Sequence, residues 1–74
     1  MHARAAAVIA KIAQQAKAAV WITKENEKVD ASSIIDLLTL ACVQGTTVTI
    51  MIDDPEDGRI LNEIAALIEK GFGE

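Results

Sequence analysis

Between positions 3 and 16 the apolar residues Ala5, Val8, Ile9, Ile12, Ala13 and Ala16 recur at three- and four-residue spacing. That period gathers them on one side of an α-helix and leaves Lys11, Gln14 and Gln15 on the wet side. The many alanines of this stretch add helix propensity. Residues 18–24, Ala-Ala-Val-Trp-Ile-Thr-Lys, change to period two, the spacing of a strand. Ala18, Val20 and Ile22 are expected inward, with Ala19, Trp21 and Thr23 on the other face. Glu25-Asn26-Glu27 suits a hairpin turn, and Lys28 to Ala31 is read as a short returning strand.

Ser32 and Ser33 precede Ile-Ile-Asp-Leu-Leu-Thr-Leu-Ala-Cys. A serine hydroxyl there can accept from the open N–H groups of a helix start, and Asp36 stands three residues after Ser33, as in a capping box. Gly45 is expected to stop this helix. Thr46 to Ile52 alternates, with Val48, Ile50 and Ile52 inward and Thr47, Thr49 and Met51 outward. Asp54-Pro55-Glu56-Asp57 then signals another helix start: a capping acid, Pro at the first helical position, and acids near the positive end of the dipole. Ile60, Leu61, Ile64, Ala65, Leu67 and Ile68 supply its buried stripe, and Gly71 ends it. The order helix, strand, strand, helix, strand, helix predicts one α+β domain over residues 1–74, an open-faced sandwich with helices on one face of an antiparallel sheet.

The middle helix carries more apolar residues than one stripe can bury, since only Asp36 and Thr39 are polar between Ile34 and Val43. With Leu37, Leu40 and Ala41 in the core, Ile34, Ile35 and Leu38 protrude, and an exposed aliphatic cluster of this kind marks a docking site. The mean hydropathy of +0.28 agrees with apolar surface left for a partner.

Seventy-four residues exclude a dinucleotide fold, a barrel or a second domain. The single cysteine, Cys42, excludes an internal disulfide, suits a reducing compartment and reads as a small packed residue near the end of the second helix. No Cys/His cluster has metal-ligand spacing, no run of apolar residues is long enough for a membrane span, and nothing calls for a cofactor. The net charge of −4 is unevenly placed: residues 1–24 hold Arg4, Lys11, Lys17 and Lys24 and no acid, whereas all 11 acids follow with three bases, a balance of −8. An acidic chain with few aromatics is a poor nucleic-acid binder, but its basic first third can meet an acidic protein surface or a phosphate.

Groups able to do chemistry are few: one histidine, one cysteine, no tyrosine, and serines only at 32 and 33. His2 stands directly before the first helix with Arg4 following. Neutral imidazole is a competent nucleophile near pH 7. A phosphoryl group on it meets the open N–H groups of Ala3, Arg4 and Ala5 at a helix start, and Arg4 can add charge-assisted hydrogen bonds. By position alone, a histidine in second place reads as a chain end without a role.

His2-Ala3-Arg4-Ala5-Ala6 resembles the His-x-Arg-Pro-Ala signature of HPr, the histidine-containing phosphocarrier family of the bacterial phosphoenolpyruvate:sugar phosphotransferase system. Ser33-Ile34, Leu37 to Gly45, Thr46 to Ile50 and Gly71-Phe72-Gly73-Glu74 continue the resemblance without a gap. It implies a cytoplasmic protein in which His2 accepts a phosphoryl group at Nδ1 from enzyme I and passes it to the IIA domain of a sugar permease, assisted by Arg4: a carrier, not a turnover catalyst. It also implies that Ala7, Lys11, Ile34, Ile35 and Leu38 form the partner-docking surface, and that Ser33 is the target of a bifunctional HPr kinase/phosphorylase.

Two departures qualify the resemblance. Ala5 stands where the family has Pro, which is expected to loosen the His2 loop without removing the nucleophile. The chain starts at the family's active-site loop, so the family's first edge strand is missing; the edge of Thr46–Ile52 is then expected to be open to pairing between chains, and a longer native chain is expected to carry the strand. Two other readings stand beside the carrier. One is an HPr-like regulatory or docking module without efficient histidine transfer. The other is a small self-associating structural protein, a homodimer through the open edge.

Overall fold

In a computed structural model, described for residues 2–40 and 47–70, the elements are α1 (Ala3–Ala13), β1 (Val20–Lys24), β2 (Glu27–Asp30), α2 (Ile34–Thr39), β3 (Thr49–Ile52) and α3 (Gly58–Glu69), with a 3₁₀ turn over Pro55–Asp57. The sheet has the order β2-β1-β3 and is antiparallel throughout. Trp21 faces Asp30 and Lys24 faces Glu27 across one ladder, and Val20 faces Ile52 and Thr23 faces Thr49 across the other. α1 packs on α2 and α3, α2 on β2, and α3 on β3, so the core lies between the three helices and one face of the sheet. Ile9, Val20, Ile22, Leu37, Leu40 and Ile64 are its largest fully buried side chains.

The element order is the expected one; the boundaries and some faces differ. α1 stops at Ala13; the Gln15 and Ala16 amides close tighter three-residue turns onto the Ile12 and Ala13 carbonyls, and the Lys17 amide leaves the helical pattern for the Asp57 carboxylate. Val8, expected in the buried stripe, is 41% exposed, and the places beside Ile9 are filled by Ala5, Ala6, Ala10 and Ala13. Small residues let α1 approach its neighbours closely, and packing selects fit over hydrophobicity. Ala18 is exposed and precedes β1, which begins at Val20. β2 lies one residue earlier than expected, because the Lys24–Glu27 pair leaves only Glu25 and Asn26 to turn the hairpin. Glu25 meets this geometry with φ of 56°. In β3, Thr49 and Met51 point outward while Ile50 and Ile52 are half-buried, as the alternation requires, but Thr47 and Val48 fall outside the strand.

Ser33 caps α2, its Oγ accepting from the Asp36 amide at 3.2 Å. The reciprocal half of the expected box is replaced: the Ser33 amide donates to the Asp30 carbonyl at 3.1 Å. Asp54 caps the 3₁₀ turn through the Glu56 amide at 2.9 Å, with Pro55 at its start. Ala41, Cys42, Gly45, Thr46 and Gly71, expected to be buried, to stop a helix or to begin a strand, lie outside the described residues, as do residues 72–74.

Candidate functional site

His2 is the residue before α1, in extended backbone (φ −73°, ψ 154°), and its carbonyl accepts the first helical bond, from the Ala6 amide at 3.0 Å. The amides of Ala3, Arg4 and Ala5 therefore have no acceptor within the helix and point toward the end where His2 stands. The exposed side chain of His2 and the exposed Arg4, with no acid on the helix, put an electropositive end around a nucleophilic ring. Such an arrangement can hold a dianionic group covalently on the imidazole while amide dipoles and a guanidinium share its charge.

Ala7 and Lys11 are exposed along the same helix. On α2, Ile34 and Leu38 are about two-fifths exposed and Ile35 is 73% exposed, while Leu37 and Leu40 are buried. The split follows helix geometry: a six-residue helix lying on β2 and α1 offers one side to the core, and the aliphatics of the other side have only solvent. Ser33 is half-buried at the start of that helix, its hydroxyl engaged in the cap, so a modification of Oγ has to exchange the Asp36 amide bond for one to phosphate. Since α1 and α2 pack together, these groups sit on two adjoining helices. Among the described residues no group of three or more His, Cys, Asp or Glu side chains is placed to hold a metal ion, and no helix is long and apolar enough to cross a membrane.

Three residues matter more than the sequence suggested. Val8 is exposed between Arg4 and Lys11, and the polar spacing 4, 11, 15 already marked that side of the helix as the wet one. Asp57 turns inward to 4% exposure: Oδ1 accepts from the Lys17 amide at 2.9 Å, and Oδ2 from the Lys17 and Ala18 amides, each at 3.1 Å. Gln14 donates from Nε2 to the Ser32 carbonyl at 3.0 Å, tying the end of α1 to the segment that leads into Ser33. No local pattern distinguishes Asp57 from its acidic neighbours, because its partners are about forty residues away.

Comparison with known proteins follows the same lines. The family described as "PTS HPr component phosphorylation site" matches residues 1–70. The phosphocarrier protein HPr of Neisseria meningitidis is 34% identical over 74 residues, covering 100% of this chain and 83% of that protein. Among solved structures, an HPr dimer from Thermoanaerobacter tengcongensis superposes with a TM-score of 0.84 at 32% identity, covering 100% of this chain and 85% of that one. Crh of Bacillus subtilis, described as a domain-swapped dimer, superposes with a TM-score of 0.87 at 31% identity, covering 96% and 82%.

Proposed function

The chain belongs to the HPr family of phosphotransferase-system phosphocarriers, and from that premise we propose that His2 is its phosphoryl acceptor, loaded by enzyme I and discharged to IIA domains of sugar permeases in the cytoplasm. The observation that carries this reading is the position of His2, exposed in extended backbone before α1, with the open amides of the first turn and Arg4 beside it. In loading, the P–N bond of the donor phosphohistidine breaks as a P–N bond to Nδ1 of His2 forms; discharge runs the same exchange toward the acceptor. No oxidation state changes and no cofactor takes part. Amide dipoles and one guanidinium stabilise the transferred group moderately, as reversible exchange with two partners requires. Ala7 and Lys11 on α1 and Ile34, Ile35 and Leu38 on α2 are the surface on which these partners dock. A phosphate on Ser33, placed by an HPr kinase/phosphorylase, adds about −1.5 to −2 charges beside the apolar cluster and repels an acidic partner.

The test is incubation with enzyme I and labelled phosphoenolpyruvate. Acid-labile, alkali-stable label on the chain, lost in His2→Ala, is the expected result. An unlabelled chain in the presence of active enzyme I refutes the carrier and leaves the regulatory or docking module.

A second reading, self-association, is supported by the outer position of β3 in the sheet and by the dimers formed by T. tengcongensis HPr and B. subtilis Crh. Sedimentation at micromolar concentration decides it, and a clean monomer removes it.

A further inference from the structure

We infer that Asp30 is a specificity-determining residue for serine modification: its carboxylate engages the Ser32 hydroxyl, so that of two adjacent serines Ser33 alone takes a phosphoryl group. The inference rests on the proposed modification of Ser33 and adds to it the residue that selects the site. The chain has serines at 32 and 33 and nowhere else, so a kinase that recognises this segment meets two hydroxyls one residue apart. Both serines are half-buried, and exposure does not choose between them.

Hydrogen bonding does. Asp30 Oδ1 accepts from the Ser32 hydroxyl at 2.6 Å and from the Ser32 amide at 2.8 Å. An ionised carboxylate only accepts, so the proton of Ser32 Oγ is committed to it. Ser33 Oγ accepts from the Asp36 amide at 3.2 Å, a bond that takes a lone pair and leaves the hydroxyl proton for the base of a kinase. The peptide between the two serines is held at both ends. The Ser32 carbonyl accepts from Gln14 Nε2 at 3.0 Å, and the Ser33 amide donates to the Asp30 carbonyl at 3.1 Å. One hydroxyl therefore cannot swing into the place of the other without breaking these bonds.

The product reinforces the choice. In the transfer, the bond from the γ-phosphorus of a nucleoside triphosphate to its bridging oxygen breaks, a P–O bond to serine Oγ forms, and the hydroxyl proton passes to the kinase. On Ser32 the new group, of about −1.5 to −2 charges, would replace the hydrogen bond to Asp30 with repulsion at close range. On Ser33 it meets the Asp36 amide, a donor.

The test incubates the parent, Ser33→Ala and the double variants Asp30→Ala, Ser33→Ala and Asp30→Asn, Ser33→Ala with ATP and an HPr kinase/phosphorylase shown active on its own substrate. Fragment mass spectrometry locates the acid-stable phosphate, and thermal midpoints are the folding control. The parent is expected to carry one phosphate, on Ser33, and Ser33→Ala to lose nearly all of it. Asp30→Ala in the Ser33→Ala background is expected to raise labelling about tenfold, on Ser32, as the release of one hydrogen bond to a charged group implies. Asp30→Asn keeps an acceptor oxygen without the charge and gives a smaller gain; it decides the matter if the alanine double variant does not fold. A merely structural role for Asp30 would lower labelling and never move it to a new residue. Labelling of Ser33→Ala on Ser32 at the parent's rate, or folded double variants no faster than Ser33→Ala, overturns this inference alone. A parent left unlabelled by the active kinase removes the Ser33 reading and this inference with it.

Discussion

Replacing Asp57 by Ala removes a buried side-chain grip on the backbone between α1 and β1, where one carboxylate takes the Lys17 and Ala18 amides through three contacts of 2.9–3.1 Å. A hydrogen bond to a charged group contributes about 1.5–3 kcal/mol net, and a part-buried amide left without an acceptor costs about 1–3 kcal/mol. Water can reach one of the two amides in the variant, so the expected loss is about 3 kcal/mol, a large share of the 5–15 kcal/mol typical of a domain. For a chain of this size that lowers the melting temperature by about 12–24 °C. Asp57→Asn keeps one acceptor oxygen and loses the charge, for about half the penalty. Lys17→Ala separates this grip from the Lys17–Glu56 ion pair beside it, whose side chains are mostly exposed. That variant retains its amide and loses only the ion pair, worth about 0.5 kcal/mol. Urea denaturation of the four proteins, read with m-values, gives the ranking; native-state hydrogen exchange should show Lys17 and Ala18 amides opening first in the Asp57 variants. If Asp57→Ala lies within about 0.5 kcal/mol of the parent, solvent already satisfies those amides and the reasoning from burial is wrong.

Arg4→Ala is expected to leave the melting temperature unchanged, because Arg4 is exposed, and to slow enzyme I-dependent labelling of His2 by about tenfold, the loss of one charge-assisted contact of about 1.4 kcal/mol; equal rates remove Arg4 from the transfer. Ser33→Ala removes the acceptor of the Asp36 amide and should cost about 1 kcal/mol by urea titration, while Ser33→Asp restores most of it. Glu25→Gly relieves a φ of 56° that side chains with a Cβ rarely adopt, and should raise stability by about 0.5–1 kcal/mol after the added freedom of the unfolded chain is counted; a lower melting temperature would show that the Glu25 side chain contributes.

The sandwich was legible in the sequence because its signals are local. Period-two alternation around Ile22 and Ile50, the serine before Ile34 and the Asp-Pro pair before α3 each state their own structure without reference to distant residues. The protrusion of Ile34, Ile35 and Leu38 was legible for the same reason, since one helix can bury only one side. Val8 was misread because hydrophobicity ranks valine above alanine, whereas the close approach of α1 to its neighbours rewards the smaller side chain. The end of α1 at Ala13 was missed because it depends on Asp57 and on the Gln14–Ser32 contact, both long-range. The one-residue shift of β2 came from the turn: Glu25 accepts left-handed backbone that its composition does not advertise. The residues assigned to chemistry were legible as a motif; that α1 and α2, which carry them, pack against each other was not, because no local period states which helices meet.

The four alanines under α1 have a consequence for how such a chain can drift over generations. Ala6 and Ala10 are wholly enclosed and Ala5 and Ala13 nearly so, leaving no volume for a longer side chain beneath the helix. Enlarging any of them would lift α1 off the core, and the imidazole ahead of it would travel too. What holds His2 in register is thus partly a row of withheld methyl groups, and room for longer side chains on this helix is left only along its outer ridge.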